Sequence, residues 1–205
     1  MTPLRPFRII VAVVLSAAAL AACGSPDPGP TTTPSSAEVR SPTGLRWHTF
    51  QGVELPIADQ GPDRIDGAVA AGFDRNQAGA GLAAIHASVR MSVATDPQWP
   101  RVGQQMLAPG PGRDAWATAR AQISITDPIA DGPPKILGYR ITGYTDTAAD
   151  VQVYAAYPDN SATCQTIRVL WHAGNWRLHV PINPTTAPVT AVTAPPIDLI
   201  PLTPR

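Results

Sequence analysis

Four histidines, two cysteines and one glycine-rich hexapeptide are the residues of this 205-residue chain whose types could carry chemistry. A histidine metal site needs two or more ligands at spacings such as H-x-x-x-H, or a pair of cysteines nearby. His48, His86, His172 and His179 show no such spacing, so no metal and no cofactor is expected. His172 lies beside a turn signal and reads as solvent-facing, while His179 alternates away from Trp176 and Leu178. His86 precedes Arg90 by four residues beside an apolar helical stripe. Each reads as a satisfied or exposed histidine. Gly79-Ala80-Gly81-Leu82-Ala83-Ala84 fits the G-x-G-x-x-A dinucleotide pattern, but that pattern needs a buried strand ending just before it. Gly72 to Gln77 is polar and turn-like instead, so the glycines read as positions of close helix packing. For nucleophilic catalysis there is no Gly-x-Ser-x-Gly elbow, and Cys164 has no base near it in sequence. Tyr139, Tyr144, Arg140 and Asp114 are the polar candidates for a pocket, and the expectation is a protein that is not an enzyme.

These residues must be placed by a modest set of elements. Residues 46–58 suggest a short strand, and Asp59 to Gly67 reads as a polar turn. From Asp74, a candidate N-cap, Ala78, Leu82, Ile85, Val89 and Val93 follow helical spacing and predict a helix to Val93 with one buried stripe. Two shorter helices are expected over Val102–Leu107 and Arg113–Gln122. From Lys135 the period changes to two, predicting strands at Ile136–Thr145, Asp150–Tyr157, Thr163–Trp171 and Asn175–Val180. His172-Ala173-Gly174 signals the hairpin turn between the last two. Trp99 and Trp116, with Tyr139 and Tyr144, are the candidate lining of an aromatic pocket for an apolar ligand. Cys164 falls on an alternating apolar stretch and reads as a buried structural thiol, with an intermolecular disulfide as the alternative.

Composition divides the chain. Fourteen of its 24 prolines fall in residues 1–45 and 181–205, whereas 11 of its 12 aromatics fall in residues 46–180. One ordinary domain between proline-rich flanks is expected, and two large domains do not fit. Fifteen basic residues balance fifteen acidic ones, with a single lysine and no basic run, which argues against a nucleic-acid partner. At the N-terminus, Arg5 and Arg8 precede a 14-residue apolar run, Ile9 to Ala22, too short to span a bilayer but of signal-peptide length. Leu20-Ala21-Ala22-Cys23-Gly24 resembles the lipobox of bacterial lipoproteins. That resemblance implies cleavage between Ala22 and Cys23, a thioether-linked diacylglyceryl group on Cys23 with further acylation such as palmitate, and attachment to the outer face of the cell membrane. Residues 1–22 are then the signal peptide and 23–45 a Ser/Pro/Thr-rich tether of up to ~60 Å. Residues 181–205 read as a disordered tail, or alternatively as a segment whose Ile197–Leu202 cluster docks on an exposed sheet edge.

Trp171-His172-Ala173-Gly174-Asn175-Trp176-Arg177-Leu178 is similar to the closing hairpin of nuclear-transport-factor-2-like cone domains. With Gly72-Phe73, Gly79-Ala80 and Pro109 to Trp116, it resembles an uncharacterised actinobacterial envelope domain found in proteins of conjugative elements. The fold so implied for residues 46–180 is α+β: a long N-terminal helix plus short helices packed on a curved antiparallel sheet of about four strands, nuclear-transport-factor-2-like or cystatin-like. The function so implied is a lipid-anchored binding or scaffold domain with a protein partner in the envelope, at a conjugation or secretion apparatus. The alternative is a lipoprotein that binds a small apolar ligand or lipid in the cone.

Overall fold

The computed structural model describes residues 41–184 and 187–202. The expected signal segment, Ala22, Cys23 and nearly all of the tether lie outside the described residues. Two short hairpins open the domain: β1 (Arg46–Phe50) with β2 (Val53–Ile57), and β3 (Arg64–Asp66) with β4 (Val69–Ala71). The first turns on Gln51 and Gly52, both at positive φ (50° and 86°), the geometry that matches the twist of two antiparallel strands. Three helices follow, α1 (Gln77–Val93), α2 (Trp99–Met106) and α3 (Pro111–Arg120). The chain then forms β5 (Lys135–Tyr144), β6 (Ala148–Ala156), β7 (Ala162–His172), β8 (Asn175–His179), β9 (Val189–Val192) and β10 (Ile200–Pro201).

These last six strands make one antiparallel sheet in the order β10-β5-β6-β7-β8, with β9 also on β7. The expected architecture is therefore corrected in three respects. Among the described residues the domain starts with four strands rather than a long N-terminal helix, its three helices are short, and the main sheet has six strands instead of about four. The two additional strands come from residues expected to be disordered. Alternation in 189–192 and 200–201 is too brief to be read as a strand, and pairing to β7 and β5 supplies what local pattern lacks.

Helix α1 organises the core. Its N-cap is Asn76, not Asp74: the Asn76 Oδ1 accepts from the Gly79 amide at 2.8 Å, and Asp74 in turn accepts from the Asn76 side chain. The expected single apolar stripe is also corrected, because every residue from Ala78 to Ser88 is buried. The helix packs on β5 to β8 and, elsewhere around its circumference, on β2, β4 and α2. A helix buried all round has no polar face, which is why five alanines and two glycines lie between Ala78 and Ala87. Gly81 marks the closest approach to the sheet: a Cβ there would lie 2.3 Å from the Tyr139 ring.

Cross-strand pairs fix the register of the sheet. Tyr139 faces Val153, Val151 faces Ile167, Val169 faces Leu178 and Trp171 faces Trp176, and the first three pairs line the α1 side. The β7–β8 turn is Ala173-Gly174 with φ of 49° and 77°, a two-residue hairpin. Among the described residues no helix is long and apolar enough to cross a membrane.

Candidate functional site

The four candidate pocket residues do not share a cavity. Trp99 and Trp116 do meet, edge to face at 5.8 Å between centroids, both half-buried, where α2 crosses α3 over Gly103. Tyr139 is instead sealed between the sheet and α1, its hydroxyl has no hydrogen-bond partner among the described residues, and burial pushes its pKa up. Tyr144 belongs to a third place, the end of the sheet. There its hydroxyl donates to the Arg75 carbonyl at 3.1 Å and its ring lies 6.0 Å from Trp176. Trp171 completes this cluster, 5.3 Å from Trp176, with the Arg75 guanidinium over its ring. The four residues expected to line a cone thus stand in three separate places: Trp99 with Trp116, Tyr139 in the core, and Tyr144 at the end of the sheet.

The polar candidates are also dispersed. His86 is completely buried, with Nε2 2.8 Å from the Pro56 carbonyl. A carbonyl only accepts, so Nε2 carries the proton and Nδ1 is the acceptor facing Arg90. Burial, with the Arg90 cation second, lowers the His86 pKa to about 3 despite the opposing Pro56 carbonyl. Asp114 lies in the exposed first turn of α3 and pairs with the adjacent Arg113 at 2.9 Å. Arg140 holds Asp198 of the C-terminal segment at 3.3 Å. His172 and His179 are both exposed, and Cys164 is a buried free thiol. Among the described residues no group of histidines, cysteines and carboxylates could hold a metal ion.

A groove elsewhere on the domain is lined by none of the candidate pocket residues. Strand β7 is eleven residues long, and two strands divide one of its edges: β9 pairs with Ala162–Gln165 and β8 with Arg168–His172. Where they part, the chain leaves β8 at Val180 and returns at Pro188, whose carbonyl accepts from the Thr166 amide at 2.9 Å. Between this excursion and the end of α1 lies an open groove of about 510 Å³. Met91, Ile167, Leu178 and Val180 give it an apolar wall, and Arg168 and Asn183 stand among its polar lining. Among the described residues Arg168 is engaged only by Asp150, at 3.3 Å and in solvent.

Strand β8 does not continue along this edge of β7, because β9 already occupies it from Ala162 to Gln165 and Pro188 takes the Thr166 amide.

Residues 13–194 match a family described as Domain of unknown function (DUF8175). The chain belongs to that family. No curated protein and no solved structure matches the chain. The family match takes in α1 to α3, the groove and strands β5 to β9, and ends before β10.

Proposed function

We propose that this chain is an exported lipoprotein, held on the outer face of the cell membrane through Cys23, and that its domain binds an apolar ligand in the groove beside β7. The observation that carries the binding reading is the groove itself, whose volume falls within the ~300–1,000 Å³ usual for small-molecule sites. Its apolar wall is joined by a few polar groups, the lining usual for such sites. The groove favours ligand binding over a subunit role in a conjugation or secretion apparatus. The anchoring reading is supported by Leu20-Ala21-Ala22-Cys23-Gly24 behind its apolar run.

Binding is tested with anilinonaphthalene sulfonate, an apolar fluorescent probe, on the full chain. The expected result is saturable one-to-one binding that Met91→Trp, which fills the groove, weakens at least tenfold. Equal binding by the folded Met91→Trp protein would overturn the reading. For the anchor, Cys23→Ala is expected to move the protein from the membrane pellet to the soluble fraction, and its retention in the pellet would refute lipid attachment.

A further inference from the structure

Strand β5 is ten residues long and lies next to the margin of the sheet, yet among the described residues its outer edge is paired only from Leu137 to Tyr139, by β10 and the Leu202 amide. Beyond Tyr139 the edge is of the kind that templates strand addition. Its occupant shows what the site selects. Ile200 and Leu202 are buried, and the Leu202 amide donates to the Leu137 carbonyl at 3.0 Å. Amides alternate in direction along an antiparallel strand, so the position of Pro201 would point its amide away from β5. Proline therefore costs no ladder bond there. Opposite, Gly138 admits the incoming backbone, since a Cβ on it would lie 2.2 Å from the Ile200 carbonyl oxygen. Apolar, proline, apolar is the pattern read by this edge.

The resident segment is seated by the buried Ile200 and Leu202. Besides Ile200 and Leu202, its side-chain tie is the Arg140–Asp198 pair at 3.3 Å, largely in solvent, of a class worth ~0–1 kcal/mol. It reaches the edge from β9 through Thr193 to Pro196, across the sheet face that carries Tyr154 and Cys164. The family match ends at residue 194, so Leu137 to Tyr139 lie inside the matched residues and the segment that docks on them lies outside.

We propose that the β5 edge is a strand-addition site for an extended apolar–proline–apolar segment of a partner polypeptide, and that Ile200–Leu202 is its exchangeable resident. The partner adds its strand where β10 lies, taking the Leu137 carbonyl and the two side-chain seats. Because the resident is tethered, its effective concentration is high, and the partner binds only in proportion to the fraction of molecules whose tail is out.

A fluorescein-labelled peptide spanning residues 195–205 serves as probe, with binding to the full chain read by anisotropy. Release of the tail in Ile200→Asp/Leu202→Asp is expected to tighten peptide binding at least tenfold over the wild type. Adding Gly138→Val to that variant, where the freed edge has room for the side chain, is expected to abolish it. Binding no tighter than wild type by the folded double variant, or binding that survives Gly138→Val, would overturn the proposal. Should the double variant fail to fold, hydrogen exchange on the wild type decides. The Leu202 amide is expected to exchange at least a hundredfold faster than the amides of the β6–β7 ladder, and equal protection would refute exchangeability.

Discussion

The Nε of Arg90 donates to Nδ1 of His86 at 3.4 Å, so that a completely buried guanidinium leans on a completely buried neutral imidazole one helical turn away. No carboxylate balances this cation among the described ion pairs. Arg90 is held by the Phe50 ring, 4.2 Å from its guanidinium carbon, and by the Gly67 carbonyl at 3.3 Å, while burial lowers its pKa to about 10. Through these contacts the pair ties both opening hairpins to α1: Pro56 and Phe50 from the first, Gly67 from the second.

His86 makes stability depend on pH. Its folded-state pKa, about 3, lies below the ordinary 6.5, so below pH 6.5 the unfolded chain binds a proton that the folded protein refuses. The stabilisation is complete above pH 6.5 and is lost as the pH falls toward 3. The limiting slope is about 1.4 kcal/mol per pH unit. Urea unfolding of wild type and His86→Gln between pH 7 and pH 4.5 is expected to show the steeper decline in the wild type.

Arg90 is expected to tolerate Met better than Ala. Met keeps the volume over Phe50 and removes a buried charge, whereas Ala leaves a cavity of the kind that costs about 2–5 kcal/mol. Denaturant midpoints of the two variants give the comparison, and an Ala variant as stable as the Met variant would contradict it.

At Gly81 a single methyl group is predicted to be damaging. The Cβ would meet the Tyr139 ring at 2.3 Å, and Tyr139, itself buried on the central part of β5, has no free space to retreat into. Overpacking of this kind costs about 1–3 kcal/mol. Gly81→Ala should lower the thermal midpoint, even though alanine is intrinsically the better helix former.

Asp96 is a hub for the segment that follows α3. Its carboxylate accepts from the Ile125 amide at 3.0 Å, from Ser124 Oγ at 2.7 Å and from Arg120 at 3.1 Å, which together hold its pKa below the ordinary carboxylate value. A depressed carboxylate contributes stability above its unfolded-state pKa of 3.8 and loses it as acid protonates the folded group. Asp96→Ala is expected to speed hydrogen exchange at Ile125 at neutral pH, an effect that should fade as the wild type itself is acidified.

Much of the sheet was legible because β5, β6 and β7 alternate over nine or more residues and β8 follows a hairpin turn signal. β5 to β8 fall within two residues of where the period placed them. The first hairpin was read as one strand over 46–58, and the second was missed, although Asp66-Gly67 is a strong turn dipeptide, because strands of three residues such as β3 and β4 carry too little pattern to register. The candidate site was less legible still. Trp99, Trp116, Tyr139 and Tyr144 were grouped by residue type, yet the fold assigns Tyr139 to the core through Gly81 and distributes the others. The groove depends on how β8 and β9 share β7, a long-range relationship that no local spacing encodes.

The burial of α1 has a consequence for how the molecule is made. The helix is complete by residue 93, but Trp176 is needed to cap its approach at the Asp74 carbonyl and Asn175 to reach the Phe73 amide, each 102 residues further along the chain. During synthesis this alanine-rich segment must wait, solvated on the sides it will later hide, until nearly the whole domain exists. Such distant contacts make for slow folding and a prolonged interval of aggregation risk. The contacts that complete the burial of α1 thus form only once β8 has been made.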